Sequence, residues 1–276
     1  MQTQSENACF GGTQGVYTHA SDACSCDMTF GLFLPSEAKD GPVPLLWYLS
    51  GLTCTHENAM TKAGAQAWAA EHGIAICFPD TSPRGDDVAD DDGYDLGKGA
   101  GFYVNATEEP WAAHYQMWDY VTEELPALLG AQFALDMDAQ AITGHSMGGH
   151  GALTMAMALP GRFRSVSAFA PIANPTASDW GRKQLSAYLG NNEAAWSPHD
   201  ATLMMRSKGF DGPMLIDTGT NDQFIDLLKP EALAEAIAAR RQQAQVRMQP
   251  GYDHSYFFVS TFMEDHIAFH AEALYA

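Results

Sequence analysis

The sequence has few basic residues and no long apolar run. Of its 276 residues, 14 are Lys or Arg and 34 are Asp or Glu, so the formal charge is −20. This deficit argues against nucleic-acid and anionic-membrane partners, because both attract patches of Lys and Arg. No apolar segment approaches the roughly 20 residues that cross a bilayer, and Met1–Asn7 lacks the basic start of a signal peptide. We therefore expect a cytoplasmic protein with no nucleic-acid or membrane partner.

Cysteine is also scarce, and no metal motif is evident. The five cysteines form no repeating framework, which favours reduced thiols over disulfides. Cys24-Ser25-Cys26 has one intervening residue, whereas metal and redox pairs usually have two. The acidic run Asp86–Gly93 lacks the ligand spacing of a calcium loop and is typical of a solvated loop. We expect neither a metal nor a cofactor.

Short apolar runs alternate along the chain with segments of helical pattern. Such alternation predicts an α/β fold, with a mostly parallel central sheet and helices on both faces, in one domain spanning residues 1–276. The predicted strands are Gly15–Thr18, Met28–Leu34, Leu45–Leu49, Ile74–Phe78, Ala139–Thr143, Ser165–Phe169, Met214–Thr218 and Ala244–Met248. The predicted helices are Ala59–His72 after an N-cap at Asn58, Trp111–Leu129 with a kink or a division at Pro126, Met147–Leu159, Pro230–Arg241 and Tyr256–Leu274. The long irregular segment Asp80–Thr107 is typical of a functional or mobile loop.

Gly144-His145-Ser146-Met147-Gly148 matches the G-x-S-x-G pattern. A predicted strand precedes it and a predicted helix follows, as in the nucleophile elbow of the α/β-hydrolase fold. The flanking glycines relieve crowding at this sharp turn, and the helix N-terminus favours developing negative charge. Ser146 is therefore the predicted nucleophile.

A serine nucleophile needs a base, and the base needs an orienting carboxylate. In this fold the order along the chain is serine, acid, histidine, each after a strand. Asp222 follows the strand Met214–Thr218, and His254 follows the strand Ala244–Met248. Asp217, within a strand, and Asp226 are the alternative acids. We predict a triad of Ser146, Asp222 and His254.

Two backbone N–H groups must stabilise the oxyanion. One is that of Met147, directly after the nucleophile. The other belongs to the loop after Leu45–Leu49, where Leu52 is preferred and Gly51 is the alternative.

Beyond these residues, the chain resembles the S-formylglutathione hydrolases, also called the esterase D family, over nearly its whole length. The segments that carry the resemblance are Leu49–Asn58, Pro79–Gly85, Gly99–Thr107, Tyr120–Pro126, Gly144–Leu153 and Ser167–Ile172. Asn105 stands where the family more often has Asp. A series of segments in order is far more specific than G-x-S-x-G alone.

The resemblance implies a cofactor-free, cytoplasmic, usually dimeric enzyme that hydrolyses S-formylglutathione to glutathione and formate during formaldehyde detoxification. It places the triad on Ser146, Asp222 and His254, and the oxyanion donors on Leu52 and Met147. Cys54 and Trp180 are candidate pocket residues. Lys62, Lys98, Arg84 and Arg182 are candidate partners for the glutathione carboxylates. The alternatives are a general short-chain carboxylesterase, an acyltransferase with the same triad, and a non-catalytic binding protein with a hydrolase fold.

Overall fold

The computed structural model describes residues 1–276, which build one nine-stranded sheet. Its spatial order is β1-β2-β3-β5-β4-β6-β7-β8-β9. The strands are β1 Gln2–Cys9, β2 Gly12–Ser21, β3 Cys26–Leu34, β4 Val43–Leu49, β5 Ala75–Pro79, β6 Leu135–Gly144, β7 Phe163–Phe169, β8 Met214–Gly219 and β9 Ala244–Gln249.

Six of these strands, β4 to β9, run parallel to one another, and β1, β2 and β3 add an antiparallel extension next to β5. The predicted mostly parallel α/β sheet is confirmed. Strand β1 was not predicted, because its polar sequence shows no apolar alternation. All but its last residue are exposed, and it forms by pairing with β2.

Eleven α-helices connect and cover the strands. They are α1 His56–Lys62, α2 Ala65–Glu71, α3 Met117–Asp119, α4 Leu125–Gln132, α5 Met147–Ala158, α6 Asp179–Leu189, α7 Glu193–Trp196, α8 Ala201–Ser207, α9 Ile225–Leu228, α10 Pro230–Arg240 and α11 Tyr256–Leu274. Helix α5 packs on β4, β6 and β7, and α11 packs on β6, β7 and β8. None of the helices combines the length and apolar character that would let it span a bilayer.

The predicted helix Ala59–His72 was wrong in its start and its continuity. Thr55 is the N-cap of α1, and the side chain of Asn58 accepts a hydrogen bond from the Thr55 backbone N–H in a capping box. Gly64, in the left-handed conformation with φ 69°, then separates α1 from α2. The apolar periodicity continues across this break, so periodicity alone did not show it.

The predicted helix Trp111–Leu129 is also a series of shorter pieces. A 3₁₀ turn at Trp111–Ala113 is followed by α3, by a π-helical turn at Tyr120–Glu124 and by α4. Pro126 divides the predicted helix: the π-helical turn ends at Glu124, directly before α4 begins at Leu125. Because proline has no N–H, the Thr122 carbonyl four residues earlier accepts from the Arg162 guanidinium instead.

Candidate active site

Ser146 occupies a tight turn between β6 and α5. Its backbone φ of 59° and ψ of −118° lie outside the regions that non-glycine residues usually adopt. The Ser146 N–H donates to the Phe169 carbonyl at 2.9 Å, and its carbonyl accepts from the His150 N–H at 3.0 Å. These bonds hold the strained residue at the carboxyl edge of the parallel strands, which is where this fold presents a nucleophile.

Two glycines of the motif allow this turn to pack closely on the sheet. A Cβ at Gly148 would lie 1.9 Å from the Leu49 carbonyl oxygen, and one at Gly144 would lie 2.3 Å from the Gly148 backbone. Both distances are impossible contacts. Both glycines of the G-x-S-x-G pattern are therefore required, because the neighbouring backbone lies too close to admit a Cβ.

His254 and Asp222 form a short hydrogen bond beside this turn. His254 Nδ1 lies 2.6 Å from Asp222 Oδ2, so Nδ1 carries the hydrogen and donates to the carboxylate. The other carboxylate oxygen, Oδ1, accepts from the Phe224 N–H at 2.8 Å. Asp222 is buried at 4% exposure, which shields this interaction from solvent.

The His254 ring is held from two sides. The ring centroid of His145 lies 4.6 Å away, and that of Phe224 lies 5.1 Å away with an interplanar angle of 78°. Asp222 is the only hydrogen-bond partner of the ring, so Nε2 is free to accept a proton. Ser146 and His254 line the same cavity. The arrangement therefore offers a hydroxyl and an oriented basic nitrogen to one small space.

The two alternative acids lie elsewhere. Asp217 is inside β8 and fully buried, and its two oxygens each accept a 2.6 Å hydrogen bond from Arg247. Asp226 is exposed in the short helix α9. Of the three carboxylates considered, Asp222 is the one that contacts His254.

The loop after β4 closes one side of the cavity. The N–H groups of Gly51 and Leu52 donate to no protein acceptor, and both residues line the cavity. Met147 is the first residue of α5, so its N–H has no intrahelical acceptor. The predicted pair of Met147 and Leu52 fits this geometry, and Gly51 stays open as the alternative to Leu52.

The long segment Asp80–Thr107 supports this loop and is not a loose connection. Gly99 accepts a 2.9 Å hydrogen bond from the Thr53 N–H, and the Tyr103 hydroxyl donates to the Ser50 carbonyl at 2.9 Å. The Arg84 guanidinium donates to the Cys54 carbonyl at 2.9 Å. Without regular structure, the segment fixes the backbone that lies beside Ser146.

The cavity has a volume of about 200 Å³ and a mainly apolar lining. It contains the predicted pocket residues Cys54 and Trp180. Six further lining residues were not among the predicted site residues: Thr53, Tyr94, His145, Phe224, Leu228 and Tyr256. Phe224 and Tyr256 lie within two residues of Asp222 and His254, so proximity to the predicted triad was a usable signal for them. The sequence around Tyr94 and Leu228 contained no comparable signal.

The Cys54 thiol is buried at 8% exposure, and burial raises its pKa above the ordinary value. A thiol with a raised pKa is mostly protonated at neutral pH and is a weak nucleophile.

All five cysteines are free, and no group of three or more His, Cys, Asp or Glu side chains converges in a metal-binding arrangement.

Three of the four candidate cations are already paired. Arg84 contacts Asp80 at 3.0 Å, Lys98 contacts Asp90 at 3.9 Å and Arg182 contacts Glu193 at 3.6 Å. None of these three lines the cavity. Lys62 also lies outside it, but lines a neighbouring groove that shares Tyr256 with it.

Known proteins with similar sequence and structure identify the enzyme family and the fold. The sequence model of the Esterase family matches residues 21–269. The fold is also that of the fluorophosphonate-binding serine hydrolase F of Staphylococcus aureus, with a TM-score of 0.75 over 94% of this chain and 98% of that one at 18% identity. The protein is an esterase-family enzyme with the α/β-hydrolase fold.

Two relatives are much more similar. S-formylglutathione hydrolase of Paracoccus denitrificans (strain Pd 1222) is 68% identical over 273 residues, covering 99% of this chain and 98% of the relative. The structure of an S-formylglutathione hydrolase from Agrobacterium tumefaciens superposes with a TM-score of 0.97 at 50% identity, covering 99% of this chain and 100% of that one. The chain belongs to the S-formylglutathione hydrolase family.

Proposed function

We propose that this protein hydrolyses S-formylglutathione to glutathione and formate, with Ser146 as nucleophile, His254 as general base and acid, and Asp222 as the orienting carboxylate. The observation that carries the proposal is the 2.6 Å bond from His254 to Asp222 together with a serine at φ 59°, with Ser146 and His254 lining one cavity. The similarity over nearly the whole chain to enzymes of that name supports the substrate.

In the acylation step, Ser146 Oγ attacks the thioester carbon and His254 Nε2 takes the hydroxyl proton. The oxyanion accepts hydrogen bonds from the N–H of Met147 and from that of Leu52 or Gly51. The carbon–sulfur bond then breaks, and the proton on Nε2 passes to the departing thiolate. Asp222 keeps Nδ1 protonated throughout, so that Nε2 faces the reaction with its lone pair.

In the deacylation step, water attacks the formyl ester on Ser146 and gives its proton to His254 Nε2. The tetrahedral intermediate collapses, the proton returns to Ser146 Oγ, and formic acid leaves and loses its proton to solvent to give formate. A thiolate departs easily, so the water step must keep pace with the first. The mainly apolar cavity, which Trp180 and Leu228 help to line, suits a short uncharged acyl group such as formyl.

The experiment that tests the substrate compares kcat/KM for formyl, acetyl and butyryl thioesters of glutathione. We expect activity to fall along the series by roughly 10-fold or more for each added methylene, since a filled pocket rejects extra groups by about 1–3 kcal/mol. A preference for butyryl would instead identify a general short-chain carboxylesterase.

Labelling with a fluorophosphonate tests the nucleophile. We expect a single adduct on Ser146 and none in Ser146→Ala, with kcat in that variant lowered by about 10⁴–10⁶-fold. His254→Ala should cost a similar factor and the double variant little more, because the two act as a unit. Absence of labelling would favour a non-catalytic binding protein.

Two properties of the family complete the proposal: a cytoplasmic location and a homodimer. Five free thiols support a reducing compartment. Sedimentation equilibrium of the purified protein tests the dimer, and a monomer at micromolar concentration would remove it from the proposal.

A further inference from the structure

A second cavity adjoins the active-site cavity, and we call it the outer groove. Its volume is about 570 Å³, and it is lined by Lys62, Ser255, Tyr256, Phe257 and Ser260. Tyr256 also lines the active-site cavity, so one side chain forms a wall of both. A substrate whose acyl group is at Ser146 must therefore pass Tyr256 to place its other end in the outer groove.

Lys62 is the one cationic residue in the lining of either cavity. Its side chain is exposed, and no carboxylate lies within 4.0 Å of its ammonium group. Arg84, Lys98 and Arg182, in contrast, each have an acidic partner. Lys62 is thus a positive charge available to a ligand beside the active site.

The charge of Lys62 acts on the active-site cavity itself. Burial raises the pKa of the Cys54 thiol, and the positive charge of Lys62 is among the opposing influences that lower it. Cys54 and Lys62 are also close along the chain, because α1 begins two residues after Cys54 and ends at Lys62. The same short segment therefore carries the oxyanion loop at one end and the free cation at the other.

Because the protein as a whole is negatively charged, a local cation is needed to bind an anionic ligand. With a formal charge of −20, the protein repels anions at long range, so an anionic ligand needs a local positive contact. Phe257 adds an apolar surface to the outer groove, since its ring is 84% exposed. A cation beside an exposed aromatic ring matches a ligand that carries a carboxylate on a short peptide-like chain.

We propose that Lys62 is a specificity residue that binds a carboxylate of the thiol half of the substrate in the outer groove, with Phe257 packing on the adjoining peptide chain. This inference rests on the proposed function, in which the thiol half is glutathione, a peptide with two carboxylates. Lys62 does not touch the reacting atoms. It holds the substrate equally in the ground state and the transition state, so it affects KM and leaves kcat unchanged.

The test compares Lys62→Ala and Lys62→Glu on S-formylglutathione and on p-nitrophenyl acetate, a neutral ester without a carboxylate. We expect KM for the thioester to rise about 3-fold in Lys62→Ala and about 10-fold or more in Lys62→Glu, as for a partly exposed ion pair. The kcat for the thioester and all constants for the aryl ester should stay unchanged.

Lys39→Glu is the matched control. Lys39 is exposed before β4, at the end of that strand opposite the active site, and its replacement changes the net charge by the same amount. If Lys39→Glu raises KM for the thioester as much as Lys62→Glu does, the effect is the global field and the inference falls. An equal loss on the aryl ester in Lys62→Glu also overturns it, because that result means a damaged site.

Esterifying the glycyl carboxylate of S-formylglutathione identifies the contact. If Lys62 binds that carboxylate, the methyl ester has a raised KM with the wild type, and Lys62→Ala raises it no further. If Lys62→Ala still raises KM with the methyl ester, the γ-glutamyl carboxylate is the partner. Failure of the wild type to hydrolyse S-formylglutathione would refute the proposed function, whereas good hydrolysis unaffected by Lys62→Glu would refute this inference alone.

Discussion

Two Asp–His pairs lie at different depths of the same sheet. In the first, Asp222 and His254 occupy loops beyond the carboxyl ends of β8 and β9, with a bond of 2.6 Å beside the cavity. In the second, Asp217 lies within β8 and His266 within α11, and their closest N–O distance is 3.5 Å. Both members of the second pair are fully buried.

The second pair also has a serine next to it. His266 Nδ1 lies 2.9 Å from Ser167 Oγ, which lies 2.7 Å from the Thr143 hydroxyl. Asp217, His266 and Ser167 thus repeat the residue types of the triad, and they connect β7 and β8 to α11. All three side chains are fully buried and have no exposure to solvent. The same three side chains can serve packing or chemistry, and access to substrate decides between the two.

The charges around the two pairs differ as well. Burial raises the pKa of Asp217, but the nearby His266 ring and the hydrogen bonds from Arg247 outweigh it and hold the pKa below its ordinary value. Burial lowers the pKa of His266 despite the Asp217 carboxylate 3.5 Å away. The core pair is therefore a carboxylate neutralised by Arg247 beside a neutral histidine, which is a structural arrangement.

The largest expected effect is on kcat, and it should distinguish the Asp222–His254 pair from the buried Asp217–His266 pair. Asp222→Asn should lower kcat by about 10⁴-fold, because an amide no longer holds His254 in the tautomer that can accept the serine proton. The thermal midpoint should change little. Steady-state kinetics and thermal denaturation measure the two quantities. Asp226→Asn is the control and should be nearly silent, and the reverse result would move the acid to Asp226.

The next effect is on stability. Asp217→Asn removes the charge that neutralises Arg247, and loss of one partner of a buried pair costs about 3 kcal/mol of unfolding free energy. Because Arg247 is partly exposed and retains Asp265 at 2.8 Å, the loss should fall at the lower end of the usual range. Urea denaturation measures it, with kcat/KM determined where the variant is folded. A stable variant without activity would mean that the core pair takes part in catalysis.

A smaller loss of unfolding free energy is expected at acidic pH. Burial lowers the pKa of His150 and His199 from 6.5 to about 4, so both stay neutral in the folded protein while the unfolded chain binds protons. Stability is therefore complete above about pH 6.5 and is lost as the pH falls toward 4. By pH 5.5 each should cost about 1 kcal/mol relative to pH 7.5.

Urea denaturation at the two pH values tests this expectation. His199→Phe should remove its own share of the change, since the variant has no proton to bind at that position. Equal stability at pH 7.5 and 5.5 would show that these histidines are protonated in the folded state, contrary to their burial.

Local sequence was sufficient to predict the residues proposed for the site. The glycines at 144 and 148 are required by backbone contacts, and they identify the turn at Ser146. Strand β8 before Asp222 is buried and mainly apolar, whereas β9 before His254 is a half-exposed edge strand that its place in the strand–helix alternation identified. The alternation of strands and helices predicted the parallel sheet for the same reason, since periodicity is a local property.

Only the tertiary structure decided what surrounds those residues. Strand β1 exists through its pairing with β2, and the break at Gly64 depends on how α1 and α2 pack. The support that Asp80–Thr107 gives to the loop after β4 depends on hydrogen bonds between segments distant along the chain. Likewise, Lys62 differs from Lys98 in its tertiary surroundings, because Lys98 has an acidic partner in Asp90 and Lys62 has none. Pairing, burial and cavity access are relations between distant residues, and no local pattern encodes them.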